Sequence, residues 1–251
     1  MPAAISFAQL YDAQYHDFDA DIQLWLDHAR QSGSPVLELG CGSGRVLLPL
    51  MRAGCRMAGV DHDPQMLELA RTRLVSQEMD GFDLLCADLT SFNLNERFKL
   101  ALSPLNTLAT LADDAFLATI ACTARHLEPG ASLICDLPNP STALEERSDP
   151  DEILDEFIDP RSGCAVQVRA TVERLDDGFV QRVEWVYEVL SNDGLAERFR
   201  FEQLFHLRGI ARLRQLAAPS GMELRNAFGD YDASPYSDDT PRLIAVFRRA
   251  G

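Results

Sequence analysis

Val36-Leu37-Glu38-Leu39-Gly40-Cys41-Gly42-Ser43-Gly44-Arg45 is the stretch that decides the fold of this chain. Its first four residues form a short apolar run behind the turn cluster Gln31 to Ser34, the pattern of a strand buried on both faces. Glycines at positions 40, 42 and 44 then permit a tight turn and the close approach of a ligand to the main chain. From Arg45 to Arg52 the apolar residues recur at helical spacing, and the first amides of that helix present unpaired N–H groups with a partial positive charge. A strand that runs through a glycine-rich turn into a helix is the first unit of an open α/β sheet, which binds ligands beyond the carboxyl ends of its strands.

Outward from this unit the alternation continues. Strands are expected at Arg56 to Val60, Phe82 to Cys86, Lys99 to Ser103 and Ala131 to Leu137. Helices are expected at Pro64 to Ser76, with Pro at its first turn, and at Asp113 to His126, stopped by Glu128-Pro129-Gly130. Such regular alternation implies right-handed crossovers and a mostly parallel sheet. Ahead of it, Ile5 to Arg30 reads as two short helices around an acidic bend at Asp17 to Asp21.

Behind it the pattern changes. Ser141 to Pro160 is acidic and proline-bounded, and reads as a surface helix or ordered loop. Ala165 to Leu175, Phe179 to Leu190 and Ala196 to Leu207 alternate with period two, separated by the hairpin signals Asp176-Asp177-Gly178 and Asn192-Asp193-Gly194. This is the pattern of a three-stranded antiparallel insertion. Gly209 to Ala218 returns to helix, and Met222 to Ala227 and Leu243 to Arg248 to strand. The expected division is residues 1–140 as N-terminal segment and core, 141–208 as inserted subdomain, and 209–251 as completion of the core sheet.

The 251 residues are 46% hydrophobic and 25% charged, an ordinary globular balance. Lys and Arg number 23 against 39 Asp and Glu, a formal charge of −16. That balance argues against a nucleic-acid backbone or an anionic membrane as partner. The six cysteines form no Cys-x-x-Cys pair, and their apolar neighbours read as buried thiols of a reducing cytoplasm. No basic and apolar leader opens the sequence and no run approaches the length of a membrane span, so a cytoplasmic protein is expected. His16, His28, His62, His126 and His206 show no metal-ligand spacing, and no metal is expected.

The acidic residues at the strand ends indicate the ligand. A dinucleotide fingerprint needs its third glycine one residue later, where Arg45 stands. Glu38, two residues before the first glycine, suits a cationic amino group instead, such as that of S-adenosylmethionine. Asp61 ends the second strand, where a carboxylate accepts both ribose hydroxyls of a bound adenosine. Asp88 follows the third strand and suits the exocyclic amine of adenine, with the Leu89 amide facing a ring nitrogen. One such Asp is ordinarily a cap or a turn. Three acidic positions in order at successive strand ends are hard to attribute to capping.

The chain here resembles the class I S-adenosylmethionine-dependent methyltransferases, in particular their small-molecule branch. VLELGCGSGR, GVDHDPQML and ADLTSF carry the resemblance, with weaker support from SPLNTLATL, HLEPGASLICDLPNP and DDTPRLIAVFRR. It implies a Rossmann-like α/β fold: seven mostly parallel strands flanked by helices, with the last strand antiparallel between the fifth and sixth. It further implies an antiparallel β insertion above the carboxyl edge and an N-terminal helical lid. The cofactor set it implies is Glu38, Gly40, Cys41, Gly42, Gly44, Asp61, His62, Met66, Asp88, Leu89 and Ser103. Tyr11 and Tyr15, in LYDAQYHDF, match a Tyr-Asp-x-x-Tyr segment that folds over cofactor and substrate in similar enzymes. With Asn139 after the fifth strand they are the catalytic candidates. Both tyrosines equally suit an amphipathic core position.

Ser103, Asn106 and Thr107 after the fourth strand lie on the substrate side. Tyr231, Tyr236 and the acidic run from Asp230 to Asp239 suit a cationic group or a solvated loop, with Arg242 pairing one of those carboxylates. The expected activity is in-line methyl transfer to a nitrogen or oxygen of a neutral or cationic small molecule. The protein is expected to act without nucleic acid or membrane, with a homodimer compatible. Two alternatives are a catalytically silent cofactor-binding module and a nicotinamide-dependent oxidoreductase.

Overall fold

The protein is seen here as a computed structural model, and the structure describes residues 6–145, 149, 152–175, 179–191 and 194–251. In chain order the elements are α1 (Phe7–Gln14), α2 (Ile22–Ser32), β1 (Val36–Leu39), α3 (Leu47–Arg52), β2 (Met57–Asp61), α4 (Pro64–Ser76), β3 (Asp83–Cys86) and β4 (Phe98–Ser103). They continue as α5 (Asp113–His126), β5 (Leu127–Pro138), α6 (Pro140–Glu145), β6 (Asp155–Ile158), β7 (Ala165–Leu175), β8 (Val180–Ser191), β9 (Gly194–His206), α7 (Ile210–Ala217), β10 (Met222–Phe228) and β11 (Arg242–Arg249). The chain divides into two compact units, residues 19–143 with 206–251 and residues 1–18 with 144–205.

The larger unit holds a seven-stranded sheet in the order β10-β11-β5-β4-β1-β2-β3. β1 pairs in parallel with β2 and β4, β2 with β3, and β4 with β5. β11 runs antiparallel between β5 and β10, as expected for a chain that returns through a hairpin. The sheet is covered by helices, so β1 and β2 are buried at every position and consist of apolar residues except for Glu38 and Asp61. Trp25, Leu50, Met57, Leu100 and Ile134 belong to the core between sheet and helices. Each such side chain contributes about 1.5–3 kcal/mol by leaving water. α4 begins at a proline behind Asp63, whose carboxylate accepts the Gln65 amide at 2.8 Å, a cap that stops the preceding strand from running on.

The smaller unit is an antiparallel sheet in the order β6-β7-β8-β9, with α1 in the same unit. Three strands were expected, and the structure adds a fourth: Asp155–Ile158 pairs with β7. Its alternating half-buried and exposed positions are too few to stand out in an acidic, proline-bounded segment. The expected turns at 176–178 and 192–193 lie outside the described residues. One face of this sheet is apolar, with Val166, Val168, Tyr187 and Val189 packed around Leu10 of α1. The Tyr187 hydroxyl donates to Gln14 at 2.6 Å and fixes the end of α1. The other face carries the ion pairs Arg169–Glu188, Arg198–Glu188 and Arg200–Glu184, the cross-strand charge pattern of a solvated surface.

Two smaller expectations change. β5 starts at Leu127, directly after α5, instead of at Ala131, because Phe98 of β4 already pairs with Leu127 ahead of a register shift. Cys41, Cys122 and Cys135 are buried as expected, whereas Cys86 is exposed at the outer end of the sheet.

Candidate active site

β1 lies between β2 and β4, so the chain reverses its winding direction across the sheet at the carboxyl end of β1. Open α/β sheets form a ligand crevice at that point. The turn at Gly40 to Gly44 occupies it and is anchored to the neighbouring strand: the Gly40 and Cys41 amides donate to the Val60 carbonyl at 2.8 and 3.1 Å. Gly40 and Gly42 both have positive φ, 67° and 50°. A Cβ on Gly40 would collide with the Thr107 side chain, so glycine there lets the β1 and β4 loops pack together. A Cβ on Gly42 would meet no protein atom within 4 Å, which makes its face a cradle open to a ligand.

Asp61 closes β2 with its carboxylate turned to this cradle. Oδ2 accepts the Gly42 amide at 2.8 Å and Oδ1 accepts the Asp63 amide at 2.9 Å. Each oxygen retains a lone pair for a further donor, enough for a vicinal diol. His62 is exposed, with its Nδ1 3.6 Å from Asp61 Oδ1, and Met66 is buried on the first turns of α4. Asp88 follows β3. Its Oδ1 accepts both the amide and hydroxyl of Thr90, at 2.8 and 2.7 Å, which hold the carboxyl below the usual range and keep it an ionised acceptor. Leu89 beside it is buried.

Glu38 is the most unusual group of the set. It is 2% exposed, and Oε2 has no hydrogen-bond partner. Burial pushes its carboxyl well above the usual range; Arg45 pulls it down, while Asp21 and Asp61 push it further up. A buried carboxylate oxygen without a partner is costly unless a cation or donor arrives to meet it. Ser103 Oγ, at the last residue of β4, and Asn106 Oδ1, just after it, are likewise buried without partners. Leu105 and Asn106 both have positive φ, 48° and 61°, a strained turn of the kind found at functional sites.

Other predicted residues have different surroundings. Asn139 is fully buried, and its amide nitrogen donates to the carbonyls of Ser237, Asp238 and Thr240. Its Oδ1 accepts the Ser141 amide at 3.1 Å and the Tyr236 hydroxyl at 3.0 Å. It thus ties the 237–240 loop to the start of α6. Tyr11 and Tyr15 lie on α1 and its C-cap with ring centroids 4.6 Å apart, within the smaller unit. Arg242 pairs with Asp136 at 3.3 Å, not with a loop carboxylate, because β11 lies directly beside β5. The Tyr231 hydroxyl donates to the same carboxylate at 2.7 Å, and Arg242 stacks 4.4 Å over its ring.

Two residues of this region were not singled out in the sequence. Asp21, at the N-cap of α2, is fully buried, accepts both Arg45 guanidinium nitrogens at 2.6 and 2.7 Å, and accepts the Trp25 indole N–H at 2.8 Å. Asp136 is fully buried within β5. For Asp136 a signal existed: a charged residue inside the apolar run Leu133 to Leu137. Asp21 looked like one more member of an acidic bend.

The family described as methyltransferase domain matches residues 36–130, from the start of β1 to the early part of β5. Residues 36–130 carry a methyltransferase domain. The methyltransferase is 22% identical to the cypemycin N-terminal methyltransferase of Streptomyces sp over 232 residues, 92% of this chain and 89% of that one. Its fold matches an S-adenosylmethionine-dependent methyltransferase from Clostridium acetobutylicum with a TM-score of 0.80 at 18% identity, covering 98% of both chains. It also matches the sugar N-methyltransferase KedS8 from Streptoalloteichus sp with a TM-score of 0.73 at 20% identity, covering 100% of this chain and 96% of that one. The nicotinamide alternative lacks its third glycine. Where the third dinucleotide glycine would stand, the methyltransferase has Arg45, engaged with Asp21. No helix among the described residues is long and apolar enough to cross a membrane.

Proposed function

We propose that the methyltransferase alkylates an amine nitrogen of a small molecule. Bound S-adenosylmethionine supplies the chemistry, an electrophilic methyl group on a sulfonium. The residues at the carboxyl edge fit it on one observation above the others: Glu38 Oε2 is buried and lacks a partner, directly beside the glycine cradle. In this reading Glu38 meets the methionyl ammonium and the backbone at Gly40, Cys41, Gly42 and Gly44 lies along the cofactor. Asp61 accepts the ribose hydroxyls. Asp88 Oδ2 and the Leu89 amide face the adenine, with His62 and Met66 beside it. Ser103 Oγ, also unpartnered, sits on the strand end nearest β1 on the other side and completes the set.

Transfer of a methyl group from a sulfonium needs little acid–base chemistry. The protein holds the acceptor in line and excludes water, effects that reach roughly 7–11 kcal/mol when fully realised. Asn106 Oδ1 is placed to accept an N–H of the incoming amine, orienting its lone pair. Tyr11 and Tyr15 are the acceptor-side candidates of the N-terminal helix, and Asn139 positions the 237–240 loop. The names of similar proteins, one an N-terminal methyltransferase and one a sugar N-methyltransferase, favour nitrogen over oxygen. The charge of −16 favours a neutral or cationic acceptor over a polyanion. On the same grounds the protein acts in the cytoplasm, without nucleic acid or membrane, alone or as a homodimer.

The test is incubation with methyl-labelled S-adenosylmethionine and a panel of amino sugars, peptides with free N-termini, phenols and transfer RNA. Label is expected on an amino sugar or peptide amine. Label on RNA, or on phenols alone, overturns the proposal.

A further inference from the structure

The loop assigned to the base, Asp88 to Leu94, is tied down at both ends. At its start Asp88 Oδ1 closes a turn on the Thr90 amide and hydroxyl, and the Ser91 amide donates to the Asp88 carbonyl at 3.1 Å. At its other end it is fastened to the last turn of α5. The Leu94 amide donates to His126 Nε2 at 3.1 Å, and the Cys122 thiol donates to the Phe92 carbonyl at 3.2 Å. The Phe92 ring stacks on the His126 imidazole with centroids 4.5 Å apart. Leu89, Phe92, Cys122 and His126 are all buried, whereas Asp88, Ser91 and Asn93 are exposed. The protonation of the imidazole follows from its partners. Nδ1 lies 2.9 Å from the Cys122 carbonyl, which only accepts, so the ring proton sits on Nδ1 and Nε2 offers a lone pair to Leu94. Without that acceptor the Leu94 amide must turn toward water, and the loop with it.

We propose that His126 is a positioning residue for base recognition: by holding Phe92 and Leu94 it fixes how Asp88 and the Leu89 amide face the base, and so sets a preference for a 6-aminopurine over a 6-oxopurine. The inference rests on the assignment of Asp88 and Leu89 to the adenine. Adenine offers an exocyclic amine and, beside it, a ring nitrogen with a free lone pair. Asp88 Oδ2 and the Leu89 N–H complement that pair. Hypoxanthine reverses both groups: a carbonyl oxygen meets the carboxylate, and a ring N–H meets the Leu89 N–H. Such paired mismatches discriminate strongly because they leave polar groups of the site opposed or unpaired. They do so only while the loop is fixed. A loop released from α5 can slide Asp88 onto the ring N–H of hypoxanthine and turn the Leu89 amide to its carbonyl. Release therefore lowers affinity for the aminopurine and relieves the penalty on the oxopurine, so the ratio between the two falls. A loss of packing alone would weaken both bases alike.

The experiment titrates S-adenosylhomocysteine and S-inosylhomocysteine, which differ only at that edge of the base, into the full chain by calorimetry. The wild type is expected to prefer the adenine ligand by about tenfold or more. His126→Phe keeps a ring against Phe92 and removes the acceptor of the Leu94 amide; it is expected to cut the preference to about threefold or less. His126→Gln restores an acceptor oxygen near the place of Nε2 and is expected to keep the preference within about twofold of wild type. Cys122→Ala removes only the thiol tether to Phe92 and is expected to give an intermediate preference, which keeps the test decisive should His126→Phe not fold. Equal weakening of both ligands in His126→Phe, or a His126→Gln preference no higher than that of His126→Phe, marks a merely structural role and overturns the proposal. A wild-type preference retained in both His126→Phe and Cys122→Ala overturns it as well. A wild type that binds both ligands equally overturns the assignment of Asp88 and Leu89, and this inference with it, while leaving the rest of the cofactor reading intact. A wild type that binds neither overturns the cofactor reading itself.

Discussion

The Asp61 carboxylate accepts the Gly42 amide at 2.8 Å, so the end of β2 and the middle of the glycine turn are held as one surface. The contact gives Asp61 a structural use and leaves each of its oxygens with a free lone pair for a ligand. Asp61→Ala is expected to weaken S-adenosylhomocysteine by about 2–4 kcal/mol, the scale of two hydrogen bonds to a charged acceptor. Asp63→Ala, which removes only the cap of α4, is expected to cost about 1 kcal/mol of stability and little affinity. Calorimetric titration and thermal melts of both variants separate the two roles; equal affinity losses contradict the assignment.

Gly42 and Gly40 separate binding from folding. Gly42→Val places a branched side chain in the open cradle at a φ of 50°, where its Cβ meets no protein atom within 4 Å. Donor binding is expected to vanish with a native-like far-UV circular dichroism spectrum and a strain cost of about 1–3 kcal/mol. Gly40→Val instead drives into Thr107 and is expected to lower the melting temperature well beyond the Gly42 variant. Undiminished affinity in Gly42→Val removes the turn from the site.

Glu38 makes the free protein sensitive to pH. Burial raises its carboxyl in the folded state above the ordinary value it has when unfolded. The folded state therefore holds a proton that the unfolded state releases, and stability from this group is present at low pH and lost as pH rises through the folded value. Glu38→Gln is expected to melt higher than wild type at pH 8 in the absence of ligand, with the advantage shrinking toward pH 4, and to bind the donor poorly. Thermal melts across that range are the check; an advantage that grows toward acid contradicts the sign.

Asn139 and the tyrosines of α1 are distinguished by where their losses fall. Asn139→Ala leaves a buried set of carbonyls and the Tyr236 hydroxyl without their shared partner. A stability loss of about 1–3 kcal/mol is expected, measured by urea denaturation. Tyr11→Phe and Tyr15→Phe keep the ring packing on α1 and are expected to change the transfer rate or acceptor KM with less than about 1 kcal/mol in stability.

Most of the strands and helices from β1 to β5 were legible because local signals mark where they change: Asp63-Pro64 opens α4, and Glu128-Pro129-Gly130 follows α5, although β5 takes in those three residues. The glycine turn and Asp61 were legible for the same reason, since their positions follow from the strand ends. Contacts between distant segments were not. Asp21 belongs to the site only because α2 packs on the sheet and carries it to Arg45, 24 positions away. Arg242 was assigned to carboxylates near it in sequence, but strand order places Asp136 beside it instead. β6 escaped because four residues give too short an alternation to read without its partner strand.

The most direct measurement is a crystal structure of the protein with S-adenosylhomocysteine. The account predicts the ribose hydroxyls on the Asp61 carboxylate, the amino-acid ammonium on Glu38 Oε2 and the main chain of Gly42 against the ligand. A nucleoside bound away from Asp61, or an ammonium that leaves Glu38 without a partner, would contradict it.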